Sequence, residues 1–236
     1  MDKIKYIKTT LKLENINITE EEINKIIKEE RKEIKMTNKK NNYENWNDYL
    51  IEGTNILKNI PNIKDEEQLK KYEKETSTQR LSELIEHPIE GDFGIEHLYK
   101  IHKYLFQDIY EWAGETRTVG MKKQTIFLEP EKINEYLKIA LKEAKEDIKE
   151  IKDEYQLAYY LSNLFYNLIF AHPFREGNGR TIREFIRQLI NTLNFDFGSY
   201  DIDYSKINQN NLAMAINCAA PMFMTPEFQK SLTKKI

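Results

Sequence analysis

The stretch "DEYQLAYYLSNLFYNLIFAHPF", residues 153–174, constrains the fold more than any other part of the chain. It is long enough for a helix and apolar nearly all round, so no face of it suits solvent. Such a helix is stable only when other helices surround it. "GRTIREFIRQLINTLNF" follows after a short break, and its apolar spacing of i, i+3, i+4 makes it the expected partner. "EEQLKKYEKETSTQRLSELIE" and "IEHLYKIHKYLFQDIYEWAG" repeat that spacing, and Gly114 supplies a stop for the second. "PEKINEYLKIALKEAKEDIKEIKDE" adds an amphipathic helix whose Lys/Glu pairs mark a solvated face. With only 8 Gly and 6 Pro in 236 residues, the expected fold is all-α.

One segment breaks the helical period. Thr118 and Val119, then Thr125, Ile126 and Phe127, flank "GMKKQ", which predicts a short β-hairpin. The N-terminus reads as an appendage. "IKYIKTTLKL" and "NITEEEINKIIKEERKEI" each carry a narrow apolar stripe, and the second opens with a capping box, Thr19 and Glu22. Neither builds a core alone, so both must lie on something. The polar stretch 35–48 separates them from the rest as a linker or surface crossing.

The charge balance is 36 Lys+Arg against 39 Asp+Glu, interleaved along the chain, which leaves no footprint for direct nucleic-acid binding. The single cysteine, Cys218, excludes an internal disulfide and fits a reducing compartment. A charged N-terminus without a signal-like apolar stretch, and no apolar run approaching ~18 residues, set the expectation of a cytoplasmic, membrane-free protein. The C-terminal segment 201–236 is expected to be helical.

The break between the two central helices, "AHPFREGNGRT" (171–181), holds the chemistry. Pro173 disfavours helical geometry at His172. Glycines 177 and 179 admit a close ligand, successive N–H groups there can form an anion nest, and the helix N-terminus adds unpaired donors. Arg180 and Arg183 lie on adjacent turns of one face, which suits a polyphosphate. Glu176 fits so positive a pocket if a cation comes with the anion, and Mg²⁺ is commonly held by one carboxylate plus substrate phosphates. His172 stands where it can take a proton. The same spacing also serves an ordinary interhelical turn with a core histidine; the fixed offsets of His, Glu and two Arg favour the anion site.

"HPFREGNGRTIR" matches in full the Fic-domain signature H-P-F-x-[DE]-G-N-G-R-x-x-R, and the chain resembles that family over about residues 45–200, from "GTNILKN" onward. The resemblance implies the Fic fold, a helical bundle with a β-hairpin flap, and transfer of AMP from Mg·ATP to a target hydroxyl. His172 is then the general base and Glu176 the magnesium ligand. Gly177, Asn178, Gly179, Arg180, Thr181 and Arg183 complete the ATP site, and a buried Phe174 fixes the loop. The flap, Lys122, Lys123, Gln124, Thr125, Ile126 and Phe127, is where target backbone would dock as an added strand. Gly at position 179 favours AMP transfer over the kinase-like branch that carries Lys there; a choline-phosphate branch stays open. Toxins of this kind modify the ATPase subunits of bacterial type II topoisomerases, DNA gyrase and topoisomerase IV, so such a subunit is the partner the analogy implies.

The family also implies an off switch, [ST]-x-x-x-E-[GN], whose Glu pairs with the second motif arginine. The chain has one full match, "TLKLEN": Thr10, Glu14 and Asn15. Thr10 and Glu14 stand one turn apart on a helix and so can point into one cleft. The match lies in the appendage, and "NITEEEINKII" resembles the second helix of a small antitoxin. Residues 1–35 are therefore expected to be antitoxin-like inhibitory helices fused to a Fic domain over 36–236, in a FicT-type arrangement. The alternative function is a non-catalytic, permanently locked nucleotide-binding module.

Other features are expected to be structural. His97 and His102 face different directions and make no zinc site. His87 is a turn residue, Trp112 fills the core beneath the flap, and Cys218 packs in an apolar stretch.

Overall fold

In a computed structural model of the chain, described for residues 2–29, 43–122 and 127–235, helices dominate as expected. They are α1 (Lys3–Lys12), α2 (Glu20–Lys28), α3 (Glu66–Glu86), α4 (Ile95–Phe106), α5 (Pro130–Asp147), α6 (Glu154–Ala171), α7 (Asn178–Thr192), α8 (Gln209–Asn217) and α9 (Thr225–Ser231). Their starts follow from local chemistry. Asp65, Asp153 and Thr19 cap α3, α6 and α2 by accepting N–H bonds, and Thr19 with Glu22 forms the expected capping box.

The expected central helix, α6, packs on α5, α7 and α9. Its first turns leave Tyr155 and Tyr159 exposed, so it is not enclosed all round. The helix enclosed most completely is α7, although it carries more charge. Arg180, Arg183, Glu184, Arg187 and Gln188 are buried in it beside Ile182, Phe185 and Ile186. α1, α4 and α6 pack around it. An amphipathic sequence is normally read as one wet face, but here the polar face is dry because its partners are polar too. Glu184 accepts from Arg187, Gln188 and the Tyr6 hydroxyl of α1, the last at 2.8 Å. Burying charge is tolerated only on such terms.

The N-terminal helices lie on this surface. α1 rests on α3 and α7, and α2 on α3, with Ile7, Leu11 and Ile23 fully buried in the common core. Lys5 pairs with Asp203 and Lys3 with Glu86 at the rim.

Three expectations need correction. α4 ends at Phe106, not at Gly114; the chain then turns back so that the Gly114 N–H reaches His102 in the same helix. The segment 201–236 is not purely helical, since β1 (Tyr200–Ile202) pairs antiparallel with β2 (Leu232–Lys234) around α8 and α9. Strands of three residues are too short to show a period. Cys218 is exposed instead of packed, because α8 ends at Asn217 and the chain turns away. No helix among the described residues is long and apolar enough to cross a membrane.

Replacing Leu11 by Ala is expected to cost about 2–5 kcal/mol, the usual range for emptying a fully buried leucine site. Urea unfolding of the full chain measures it; a loss below 0.5 kcal/mol (roughly the surface-substitution range) would mean that α1 is not docked in solution.

Candidate active site

The loop between α6 and α7 is a tight structure held from inside. His172 ends α6 in the left-handed region, φ 43° and ψ 59°, a strained state for a non-glycine residue. The strain is held from several directions. Arg117, almost fully buried, donates from Nε to the His172 carbonyl at 2.7 Å and from its terminal nitrogens to Val119, Leu128 and Ala171 carbonyls. Its own N–H donates to Pro173 O at 2.8 Å. One guanidinium thus ties the end of α6 to both stems of the flap. The His172 ring stacks on Phe127 at 3.8 Å between centroids.

Beyond His172, Phe174 is fully buried and stacks on His102 at 3.7 Å, as its fixing role requires. Asn178 closes the loop on Phe174: its side-chain oxygen accepts from Phe174 N at 2.9 Å and its nitrogen donates to Phe174 O at 2.7 Å. The Asn178 amide is thus committed to the loop, and its backbone N–H at the start of α7 belongs to the expected anion nest. The Thr181 hydroxyl is buried and donates back to Gly177 O, the i−4 carbonyl. Gly177 has φ +77°, and a Cβ there would lie 2.2 Å from Phe106 Cζ, so no other residue fits.

His102 supports the loop from below. The Gly114 N–H donates to its Nδ1 at 2.8 Å, which puts the ring proton on Nε2, donating to the Glu176 carbonyl at 3.0 Å. Complete burial, with a smaller push from Arg180, lowers its pKa to about 3, so it is neutral at ordinary pH.

The two arginines meet the predicted carboxylate. Arg180 Nε donates to Glu14 Oε2 at 2.7 Å, and Arg183 donates to Glu14 Oε1 at 2.6 Å. Glu14 thus reaches both motif arginines where the family pattern implied one. It leaves α1 to do so, sitting in the turn after Lys12, with its N–H on Leu11 O. Asn15 follows at φ 60°, the left-handed position that ends the helix and sends the chain away from the cleft. Thr10 contributes its carbonyl, which accepts from Arg183 at 2.8 Å, while its hydroxyl makes no hydrogen bond. A Cβ on Gly179 would come 2.6 Å from Glu14 Oε1, so the small residue lets the carboxylate approach.

Arg180 is 1% exposed, and α3 completes its shell: Ser77 accepts from it at 3.0 Å and Glu73 at 2.6 Å. Glu73 also accepts from Tyr110. Burial opposes the charge on Arg180, but Glu14, Glu73 and Glu176 more than offset it and raise its pKa. Glu176 lies opposite, 3.9 Å from Arg180, with 40% of its side chain open to the cleft. Desolvation within the cleft and the neighbouring Glu73 raise its pKa above the usual carboxylate range. A cation beside it would relieve that crowding. No group of three or more His, Cys, Asp or Glu able to hold a metal occurs among the described residues. Glu176 thus fits a Mg²⁺ shared with substrate phosphates, not one held by protein alone.

The flap is seen only at its stems. Lys122 is exposed, and Phe127, buried on the His172 ring, donates from its N–H to Met121 O at 3.4 Å. Lys123, Gln124, Thr125 and Ile126 lie outside the described residues. Trp112 is buried as expected and stacks on Tyr110.

The model of the Fic/DOC family matches residues 92–190. The protein adenylyltransferase VbhT of Bartonella schoenbuchensis is 37% identical over 182 residues, covering 73% of this chain and 36% of that protein. The probable protein adenylyltransferase y4lH of Sinorhizobium fredii is 32% identical over 158 residues, covering 66% of this chain and 78% of that protein. The chain belongs to the Fic/DOC family. An N-terminal Fic domain from Bartonella quintana with bound ADP superposes with a TM-score of 0.69 at 25% identity, covering 79% of this chain and 95% of that one. The BepC protein of Bartonella tribocorum, with bound AMPPNP, shares the fold at a TM-score of 0.69 and 24% identity, covering 80% and 98%. The Fic match takes in α4 to α7 and the loop, whereas Glu14, Glu73 and Ser77, which surround Arg180, lie N-terminal to it.

Arg117, His102, Glu73 and Ser77 are site residues that sequence reasoning missed. Arg117 sat in plain view between the flap and the helix before it, but an arginine bonded only to carbonyls leaves no charge pattern. Glu73 is one acid among many on α3.

His102 gives a pH test. Below pH 6.5, its ordinary value, the unfolded chain takes up a proton that the folded chain refuses until about 3. Stability from the neutral ring is therefore complete above 6.5 and is lost as pH falls, by about 1.4 kcal/mol per unit. Urea titrations should show that component in the wild type and not in His102→Gln; equal slopes in the two would refute the assignment.

Proposed function

We propose that this Fic-family chain is a protein adenylyltransferase that moves AMP from Mg·ATP to a side-chain hydroxyl of a target protein, and that its own N-terminal segment holds it off. The observation that carries the reading is a complete catalytic loop whose two arginines are both occupied by a carboxylate from outside the Fic core.

Each residue then has a task. The N–H groups of Asn178 and Gly179 at the start of α7 donate to phosphate oxygens, with a helix dipole behind them. That of Gly177, which here donates to Glu176 Oε1 at 2.9 Å, joins them when the carboxylate turns to the cation. Arg180 and Arg183 take the β- and γ-phosphates once Glu14 leaves. Glu176 would hold the Mg²⁺, which neutralises phosphate charge when bound. His172, fixed by Arg117, accepts the proton of the target hydroxyl. The oxygen forms its bond to the α-phosphorus, the bond to the bridging oxygen of the β-phosphate breaks, and pyrophosphate departs. The flap, whose stem Lys122 is exposed, offers an edge for target backbone.

Glu14 competes with the phosphates by charge and by place. Charge-assisted hydrogen bonds such as its two are worth about 1.5–3 kcal/mol each, enough to displace ATP from the productive pose. The N-terminal unit, expected over 1–35, thus plays an antitoxin's part in cis to a toxin-like Fic domain. The family resemblance alone suggests a bacterial topoisomerase ATPase subunit as target.

The test uses α- and γ-labelled ATP in parallel on the full chain, Glu14→Gly, and Glu14→Gly with His172→Ala. Transfer of α label alone, at least tenfold faster with Glu14→Gly and absent with the histidine variant, is the expected result. Label from γ would mean a kinase, and no label from either would leave a locked nucleotide-binding module. Equal labelling by wild type and Glu14→Gly would remove the inhibitory role.

A further inference from the structure

Arg175 stands between Phe174 and Glu176, and the reaction above gives it nothing to do. It is 8% exposed, and its Nε is buried with no hydrogen-bond partner. It forms no ion pair among the described residues. The other buried arginines are matched: Arg80 by Asp108, Arg187 by Glu184, Arg180 and Arg183 by Glu14, and Arg117 by carbonyls. Arg175 has only aromatic company, with its guanidinium carbon 3.9 Å from the centre of the Trp46 ring and 5.7 Å from that of Tyr49.

These contacts do not balance the burial. A cation–π contact only partly offsets the desolvation of a charge, and only Nε is sealed without a partner, which leaves the terminal nitrogens open to an incoming group. Burial accordingly lowers the pKa of Arg175, against the opposing pull of Glu176. A cation kept at that cost is half of a pair whose anion arrives from outside.

Position narrows the source. The Tyr49 hydroxyl accepts from Thr118 N at 3.2 Å and lies 3.1 Å from Thr118 Oγ1, so the aromatic platform stands at the foot of the flap. Trp46, its outer wall, is 43% exposed. The phosphates already have the helix N-terminus and two arginines of their own on α7. An anion entering beside the flap comes from the target.

We propose that Arg175, walled by Trp46 and Tyr49, is a subsite for an acidic side chain, Asp or Glu, of the target protein, beside the hydroxyl that receives AMP. The indole covers the methylene groups of the incoming side chain while the guanidinium takes its carboxylate. The assignment rests on the flap being the edge where the target docks.

Fluorine NMR of the Glu14→Gly chain carrying 5-fluorotryptophan at its two tryptophans tests this without knowledge of the target. The probes are acetyl-Glu-Tyr-Glu-amide, its Gln-Tyr-Gln counterpart, inorganic phosphate and ATP. The acidic peptide should move the Trp46 resonance saturably and leave Trp112 in place, while the Gln peptide moves neither. Arg175→Gln should weaken the response at least tenfold, and Arg175→Lys should keep most of it. An unmoved Trp46, or an equal response in Arg175→Gln, overturns the proposal. A response to phosphate or ATP but not to the acidic peptide also overturns it, and gives the anion to the nucleotide. Should Arg175→Gln fail to fold, shown by a changed Trp112 resonance, the contrast between acidic and Gln peptides on Arg175→Lys decides instead. The readout is binding, so a negative result leaves the α-label transfer experiment to stand or fall alone.

Discussion

A guanidinium sealed inside a protein must be matched, and Arg180 sets that requirement for the whole molecule. Three separate segments answer it: Glu73 and Ser77 from α3, Glu14 from the turn after α1, and Glu176 across the loop. The position of α3 against α7 and the seat of the N-terminal segment both follow from satisfying one side chain. Glu73 holds Arg180 through a bond separate from that of Glu14, so the guanidinium has two carboxylate partners. The charge that would receive phosphate is thus kept fixed by its own second partner, a use of a buried ion pair for placement more than for stability.

His172 shows the same logic through main-chain carbonyls. His172 occupies a left-handed conformation at the end of α6, where helix carbonyls would otherwise lack donors. Arg117 supplies donors to those carbonyls and to both flap stems at once. The flap stems and His172 are therefore one mechanical unit, and neither can move far without breaking bonds to a buried charge.

Much of this was legible. The 3.6-residue period set α3 to its end residues, the Thr19 capping box marked α2, and the loop motif placed His172, Glu176 and the two arginines where they were expected. The match at Thr10 to Asn15 foretold a carboxylate on Arg183. What escaped was polar burial. α7 reads as amphipathic, and apart from the Glu14 match the sequence gives no sign that its charged stripe meets Tyr6 and Glu73 instead of water. Arg117 escaped because its partners are main-chain carbonyls, which every residue has. β1 and β2 escaped because three residues carry no period, and Cys218 because an apolar neighbourhood in sequence was taken for one in space.

Glu14 and the arginines it engages belong to one chain, joined through the segment 30–42, and this changes the order of the process. Pairing within a chain is first-order, and dilution does not alter it. If Glu14 is the brake, restraint does not depend on how many copies a cell makes or on how stably a second protein survives. It depends on one opening equilibrium, the fraction of time α1 spends lifted from α3 and α7. Tyr6 on Glu184 and Leu11 in the core oppose that opening, so on the proposed reading basal output would be tuned by the packing of a helix that touches no substrate.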